Sequence, residues 1–177
     1  MDKRRVCFTR TLPVALRTQM KIRKARTADA AIIADFNRCI AWETEALKLD
    51  PTRVRRGVTG LLKDSSKGIY FVAEHDGAIT GQLLITYEWS DWRNGNFWWI
   101  QSVYVAPEFR GRGVFKALFK HIHKLAGRSK SVCGLRLYMH ATNKRARRAY
   151  ERLGMKLSHY EIFEMDFVLS NRARKAS

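Results

Sequence analysis

From Ser102 to Val114 the chain reads Ser-Val-Tyr-Val-Ala-Pro-Glu-Phe-Arg-Gly-Arg-Gly-Val, an alternating stretch that runs into a glycine-bearing turn. Where such a turn opens a helix, the first backbone N–H groups have no carbonyl within the helix to bond, and glycine lets an anion approach without meeting a Cβ. Phosphate oxygens are therefore the expected ligands of residues 110–114. No Gly-Lys-Ser/Thr follows, which excludes a P-loop, and no third glycine follows, which excludes a dinucleotide fingerprint. The charge is consistent with an anion: residues 108–156 hold 14 Lys and Arg against 2 acids, in a chain of 177 residues whose 34 basic and 16 acidic side chains leave +18. A solvated basic surface would read the same way.

A second group of residues could handle a cation. Trp89, Trp92, Trp98 and Trp99 crowd into one stretch with Glu88 and Asp91, and Trp42 stands beside Glu43. Aromatic faces with carboxylates suit a cationic amine, and Glu43, Trp89, Asp91 and Trp99 are the residues expected to bind it. The bland alternative is that the indoles are core or form a homodimer surface, since strands commonly carry Trp. No metal is expected, because His121 and His123 stand two apart on a helical pattern and face different ways. Cys7, Cys39 and Cys133 form no C-x-x-C pair or zinc cluster, so neither a metal nor a disulfide scaffold is expected.

The elements that must position these groups follow from periodicity. A strand near 20–26 leads to a helix capped around Thr27 or Asp29, with Ile32, Ile33, Phe36 and Ile40 at helical spacing. Pro51 opens a second helix whose apolar face is Val54, Val58, Leu61 and Leu62. Residues 69–73 and 79–87 read as a hairpin turning at Asp76-Gly77, and 98–105 as a further strand. A helix over 112–127, a strand over 132–139, a short helix capped by Asn143 and ended by Gly154, and a last strand over 155–167 complete the set. The order β-α-α-β-β-β-α-β-α-β predicts an α+β or mixed α/β fold, a central mixed sheet flanked by helices.

Arg110, Gly113 and the spacing between them match the Arg/Gln-x-x-Gly-x-Gly/Ala pattern of the acyl-CoA pyrophosphate loop, and the chain thereby resembles the GNAT superfamily of N-acetyltransferases. The last position departs, holding Phe115. From Met20 to about Phe167 the element order is also similar to that fold. The resemblance implies acetyl-CoA as cosubstrate, held by the backbone of Val103, Tyr104 and Val105 along the pantetheine arm and by Arg110, Gly111, Arg112, Gly113, Val114 and Phe115 at the pyrophosphate. Asn143 and Tyr150 fall where the family often has a cofactor-contacting Asn and a Tyr acid. It further implies direct transfer to an amine, with a backbone N–H at 103–105 as oxyanion donor and Tyr150 as acid for the departing thiolate. For the base the sequence offers Glu88 and Asp91, or Glu43 and Glu45; Glu88 is favoured, and a water chain could replace it.

With 46% hydrophobic residues and no run of about 20 apolar residues, the composition fits a soluble globular protein without a membrane span. Residues 1–19 are expected to be a basic leader, disordered or targeting, 20–169 the catalytic domain, and 170–177 a short basic tail. A cytoplasmic location is expected, the leader keeping a mitochondrial one open. The rival function is a nucleic-acid or ribosome-associated module, suggested by Arg112, Lys116, Lys120, Lys124 and Arg128 recurring every four residues. The acceptor, a small-molecule or a protein amine, is left open.

Overall fold

The computed structural model describes residues 20–169; the expected leader (1–19) and tail (170–177) lie outside the described residues. Residues up to Ala141 form one compact unit and those from Thr142 another, and each is described by itself.

The first unit is a five-stranded sheet in the order β1-β2-β3-β4-β5. Strands β1 (Lys21–Lys24), β2 (Ile69–His75), β3 (Ala78–Ser90) and β4 (Gly95–Val105) pair antiparallel, while β5 (Val132–Arg136) joins β4 in parallel, so the sheet is mixed. The β2–β3 hairpin turns where expected, with Asp76 and Gly77 both at positive φ (53° and 74°), the combination a tight two-residue hairpin turn requires.

Helices α1 (Ala30–Glu45), α2 (Pro51–Lys63) and α3 (Val114–Arg128) cover the sheet. Local chemistry starts the first two: Asp29 is the N-cap of α1, and Asp50 caps α2 by accepting from the Arg53 N–H at 2.7 Å, with Pro51 in the first turn. Alternation along β2 then distributes the helices. Tyr70 and Val72 pack with Ile33, Ala34 and Val58 of α1 and α2, whereas Phe71 between them meets His121 of α3, ring centroids 5.5 Å apart. Since successive strand residues point to opposite faces, α1 and α2 lie on one face of the sheet and α3 on the other.

Asp29, only 9% exposed, anchors the start of α1 to the sheet. Its carboxylate accepts two bonds from Arg23 (2.7 and 3.1 Å) and one from the Arg26 N–H (2.7 Å), and Arg23 also reaches Glu74 of β2. Burial works to raise the Asp29 pKa, but the bonds and charge of Arg23 and the Arg26 amide outweigh it and hold the carboxyl below its ordinary value.

In the second unit, α4 (Lys144–Arg152) is capped by the Asn143 side chain, which accepts from the Ala146 N–H at 2.9 Å, and Gly154 follows the helix at φ 86°. The element order agrees with expectation through α4. The last strand, expected over 155–167, is not formed: these residues carry no regular secondary structure, and Tyr160, Ile162, Phe163, Met165 and Phe167 are exposed. Alternation assigns faces, but a strand exists only where another strand's backbone bonds to it. Among the described residues no helix is long and apolar enough to cross a membrane, and no His/Cys/Asp/Glu cluster could hold a metal ion.

Candidate active site

Strands β4 and β5 pair from Asn96 to Trp99, the last register pair being Trp99 with Arg136. Beyond it β4 runs on to Val105 while β5 stops, so the β5-facing edge of β4 lacks a β5 partner from Ile100 onward. This is the segment, 103–105, expected to hold the pantetheine arm. A bulge shapes it: β3 pairs Gln82 with Tyr104 but Leu84 with Gln101, so β4 carries one residue more than β3, and Ser102 sits at φ 48°. A bulge re-aims the backbone on either side of it.

The bulge is held from the α1 side by residues that sequence reading missed. Gln82, fully buried, donates from Nε2 to Asn37 Oδ1 (2.8 Å) and to the Ser102 carbonyl (3.3 Å), and Asn37 donates to the Tyr70 hydroxyl (2.9 Å). The available signal was a lone glutamine inside the apolar run of β3. A buried polar side chain needs partners, and here one partner is the carbonyl at the bulge.

After β4 the chain makes a 3₁₀ turn (Pro107–Phe109) and the glycine turn, then enters α3. Gly111 and Gly113 have φ of 80° and 83°, and a Cβ at either would meet nothing within 4 Å. The turn is thus both left-handed, as glycine allows, and open in front of the N-terminus of α3. Gly113 is the N-cap and makes no side-chain cap bond, so the first-turn amides stay directed at that open space. Phe115 packs its ring toward Phe119, centroids 6.1 Å apart, which accommodates the departure from the small residue of the motif. Gly81 of β3 is a second residue the sequence did not single out. A Cβ there would lie 2.9 Å from Val114 Cγ1 and 3.0 Å from the Tyr104 carbonyl, so its absence lets α3 begin directly against the sheet. The pocket-like geometry suits a pyrophosphate: backbone donors, positive φ, no blocking side chain.

Arg110 and Glu43 turn out to be partners. The Arg110 guanidinium bonds both Glu43 oxygens (3.0 and 2.7 Å) and the Val105 carbonyl (2.9 Å), and the Tyr104 hydroxyl donates to Glu43 at 3.1 Å. Burial first, then the Glu43 charge, pushes the Tyr104 phenol up to about 12. Glu43, expected to bind the acceptor, instead ties the end of α1 to the glycine turn, and the Arg110 side chain orders the turn by these contacts.

The expected amine-binding residues separate by sheet face. Glu88 and Trp99 lie together: Trp99 Nε1 donates to one Glu88 oxygen and Arg136 Nη1 to the other. The Arg136 guanidinium carbon lies 3.7 Å from the Phe97 ring centroid, and Trp99 contacts Tyr138, centroids 6.0 Å apart. Trp89 is opposite Asn96 in the register, one residue out of phase with Glu88, and therefore on the other face, 60% exposed. Asp91 accepts from the Trp92 N–H at 2.8 Å in the exposed tip of the β3–β4 connection. The register keeps Trp89 off the Glu88–Trp99 face and Asp91 lies in the connecting tip, whereas Glu43 belongs to the same face through α1 but is bonded to Arg110 and Tyr104. Glu88 itself, expected as base, accepts one hydrogen bond on each oxygen.

In the second unit, Asn143 uses its side-chain oxygen as a helix cap. Tyr150 on α4 is half-buried, and burial pushes its phenol above the ordinary tyrosine value. Arg112, Lys116, Lys120, Lys124 and Arg128 are all exposed, as on a solvated helix face.

Comparison with known proteins places this geometry. Residues 31–155, well over half the chain, match the acetyltransferase (GNAT) family. A thialysine N-epsilon-acetyltransferase of Bos taurus is 33% identical over 76 residues, 43% of this chain and 44% of the relative, so the chain spans less than half of that protein's length. The crystal structure of a possible acetyltransferase from Clostridium difficile 630 superposes with TM-score 0.79 at 42% identity, covering 84% of this chain and 98% of that one. A predicted acetyltransferase from Clostridium acetobutylicum, solved with acetyl-CoA, shares the fold at TM-score 0.68 and 18% identity over 84% of this chain and 96% of that one. The expected mixed sheet flanked by helices is found, with five strands, and the chain belongs to the acetyltransferase (GNAT) family.

Proposed function

We propose that the protein transfers an acetyl group from acetyl-CoA directly to an amine. The observation that carries this reading is the open, left-handed Gly111–Gly113 turn at the start of α3, next to the stretch of β4 that runs on past the end of β5. The turn offers backbone N–H groups to the pyrophosphate, and that stretch offers peptide groups to the amide-containing arm.

In this reading the amine first loses a proton, and its lone pair attacks the thioester carbonyl carbon. The oxyanion takes a hydrogen bond from a backbone N–H at 103–105, which the bulge aims and the Gln82–Asn37 pair steadies. The intermediate sheds its second nitrogen-bound proton, the C–S bond breaks, and Tyr150 protonates the thiolate, regaining the proton that nitrogen gave up. One proton is left for solvent. With its phenol raised by burial, Tyr150 stays protonated throughout the neutral range.

Calorimetry with acetyl-CoA, followed by release of free CoA thiol over a panel of amines, tests the reading. Binding with amine-dependent CoA release is expected, and absence of acetyl-CoA binding overturns it. The nucleic-acid reading gains no comparable observation, since the basic stripe on α3 is exposed and the relatives described above are acetyltransferases.

A further inference from the structure

We propose that the acceptor amine carries an anionic group of its own, with Arg136 binding that anion while Glu88 takes the ammonium. This rests on the acetyltransferase reading and names its acceptor class.

The Glu88–Arg136 pair stands on the sheet face that carries α1 and α2, beside the last paired position of β4 and β5, where the strands part. An amine approaching a thioester held along β4 from this face meets the pair first. The surroundings are built around it. Phe97 supports the Arg136 guanidinium at 3.7 Å, with Arg93 also over that ring at 5.1 Å, and Trp99 holds the second Glu88 oxygen. Both side chains remain partly open, 31% and 39% exposed.

Charge matching selects the ligand. An ammonium that takes the place of Arg136 on Glu88 Oε1 leaves that guanidinium without a carboxylate to face unless the ligand brings an anion of its own. Both side chains are open to water, so the loss is modest, but the guanidinium keeps no carboxylate to face. A ligand bearing both charges replaces the pair with two new ones and incurs no such penalty. Exchange also sets the ammonium against Glu88 Oε1, the oxygen that Arg136 held. The ammonium proton passes from nitrogen to Glu88 Oε1 and then to solvent, and the amine lone pair is released for attack.

The experiment measures kcat/KM by CoA release for aminocarboxylates of one to five methylenes, each beside its carboxamide and the alkylamine of equal length. The wild-type protein is expected to prefer the best aminocarboxylate over both analogues by at least about tenfold, since a site that bonds a charged group discriminates against analogues lacking it. Arg136→Gln should abolish the preference and Arg136→Lys, which keeps the charge and secures a folded comparison, should retain part of it. Equal kcat/KM for all three amine types overturns the proposal, as does a preference that survives in Arg136→Gln. Acetyl-CoA binding with indiscriminate turnover overturns only the acceptor class, whereas absence of acetyl-CoA binding overturns the transferase reading as well.

Discussion

Glu43, in the last turn of α1, and Arg110, at the entrance to the glycine turn, meet at 2.7 Å although 67 residues separate them in sequence. The pair links a helix end to a loop whose job, in the proposed reading, is to present amides to a pyrophosphate. Both side chains are about one-third exposed, so the pair should contribute under about 1 kcal/mol to stability. Glu43→Gln is therefore expected to leave thermal melting nearly unchanged while weakening acetyl-CoA binding several-fold by calorimetry. An unchanged affinity would mean the turn holds its shape without this tie.

Gly113→Asp should weaken acetyl-CoA binding by at least tenfold. It sets a negative charge and a side chain in the open space ahead of α3 and imposes φ of 83° on a residue with a Cβ. Gly113→Asn, which tolerates left-handed backbone and carries no charge, should fall between the two. Equal affinities for all three proteins would remove the turn from the site.

Tyr150→Phe should lower kcat by about 10²–10⁴-fold with little change in acetyl-CoA affinity, the signature of a lost general acid. Because burial raises the phenol, any alkaline loss of activity that it causes should lie above the ordinary tyrosine value of about 10. A mutant with near-normal kcat under conditions where chemistry limits turnover would make Tyr150 a packing group.

Asp29 makes stability depend on pH. Its folded pKa is lowered, so its contribution is fully present above the unfolded value near 3.8 and is lost as pH falls through the folded value. Asp29→Asn should cost about 1–3 kcal/mol at pH 7, typical of hydrogen bonds to a charged group. The gap between the two proteins should narrow as pH falls below about 3.8. Urea melts at pH 7 and pH 3 measure this, and a gap that stays constant would exclude the carboxylate's charge as its source.

The glycine turn, the starts of α1 near Asp29 and of α2 at Pro51, the Asn143 cap and the Asp76-Gly77 hairpin were legible in the sequence because each depends on neighbours a few residues apart: a φ only glycine tolerates well, a proline suited to a first helical turn, or a side-chain oxygen within three residues of the amide it bonds. The apolar periods of α1, α2 and α3 and the alternation of β2 to β4 likewise placed the sheet and its helices before any tertiary contact was known. Where contact between distant segments decides, the same reading failed. Alternation over 155–167 specified faces but could not supply a partner strand, and no strand forms there. Trp89 and Trp99 looked equivalent, yet the register of β3 against β4 puts them on opposite faces. Glu43 and Glu88 read as residues for the amine, and each is bonded to an arginine, Arg110 in one case and Arg136, 48 residues away, in the other. Which charge meets which, and whether a carboxylate stands ready or already paired, depends on how strands align across the sheet, a relation no local spacing encodes.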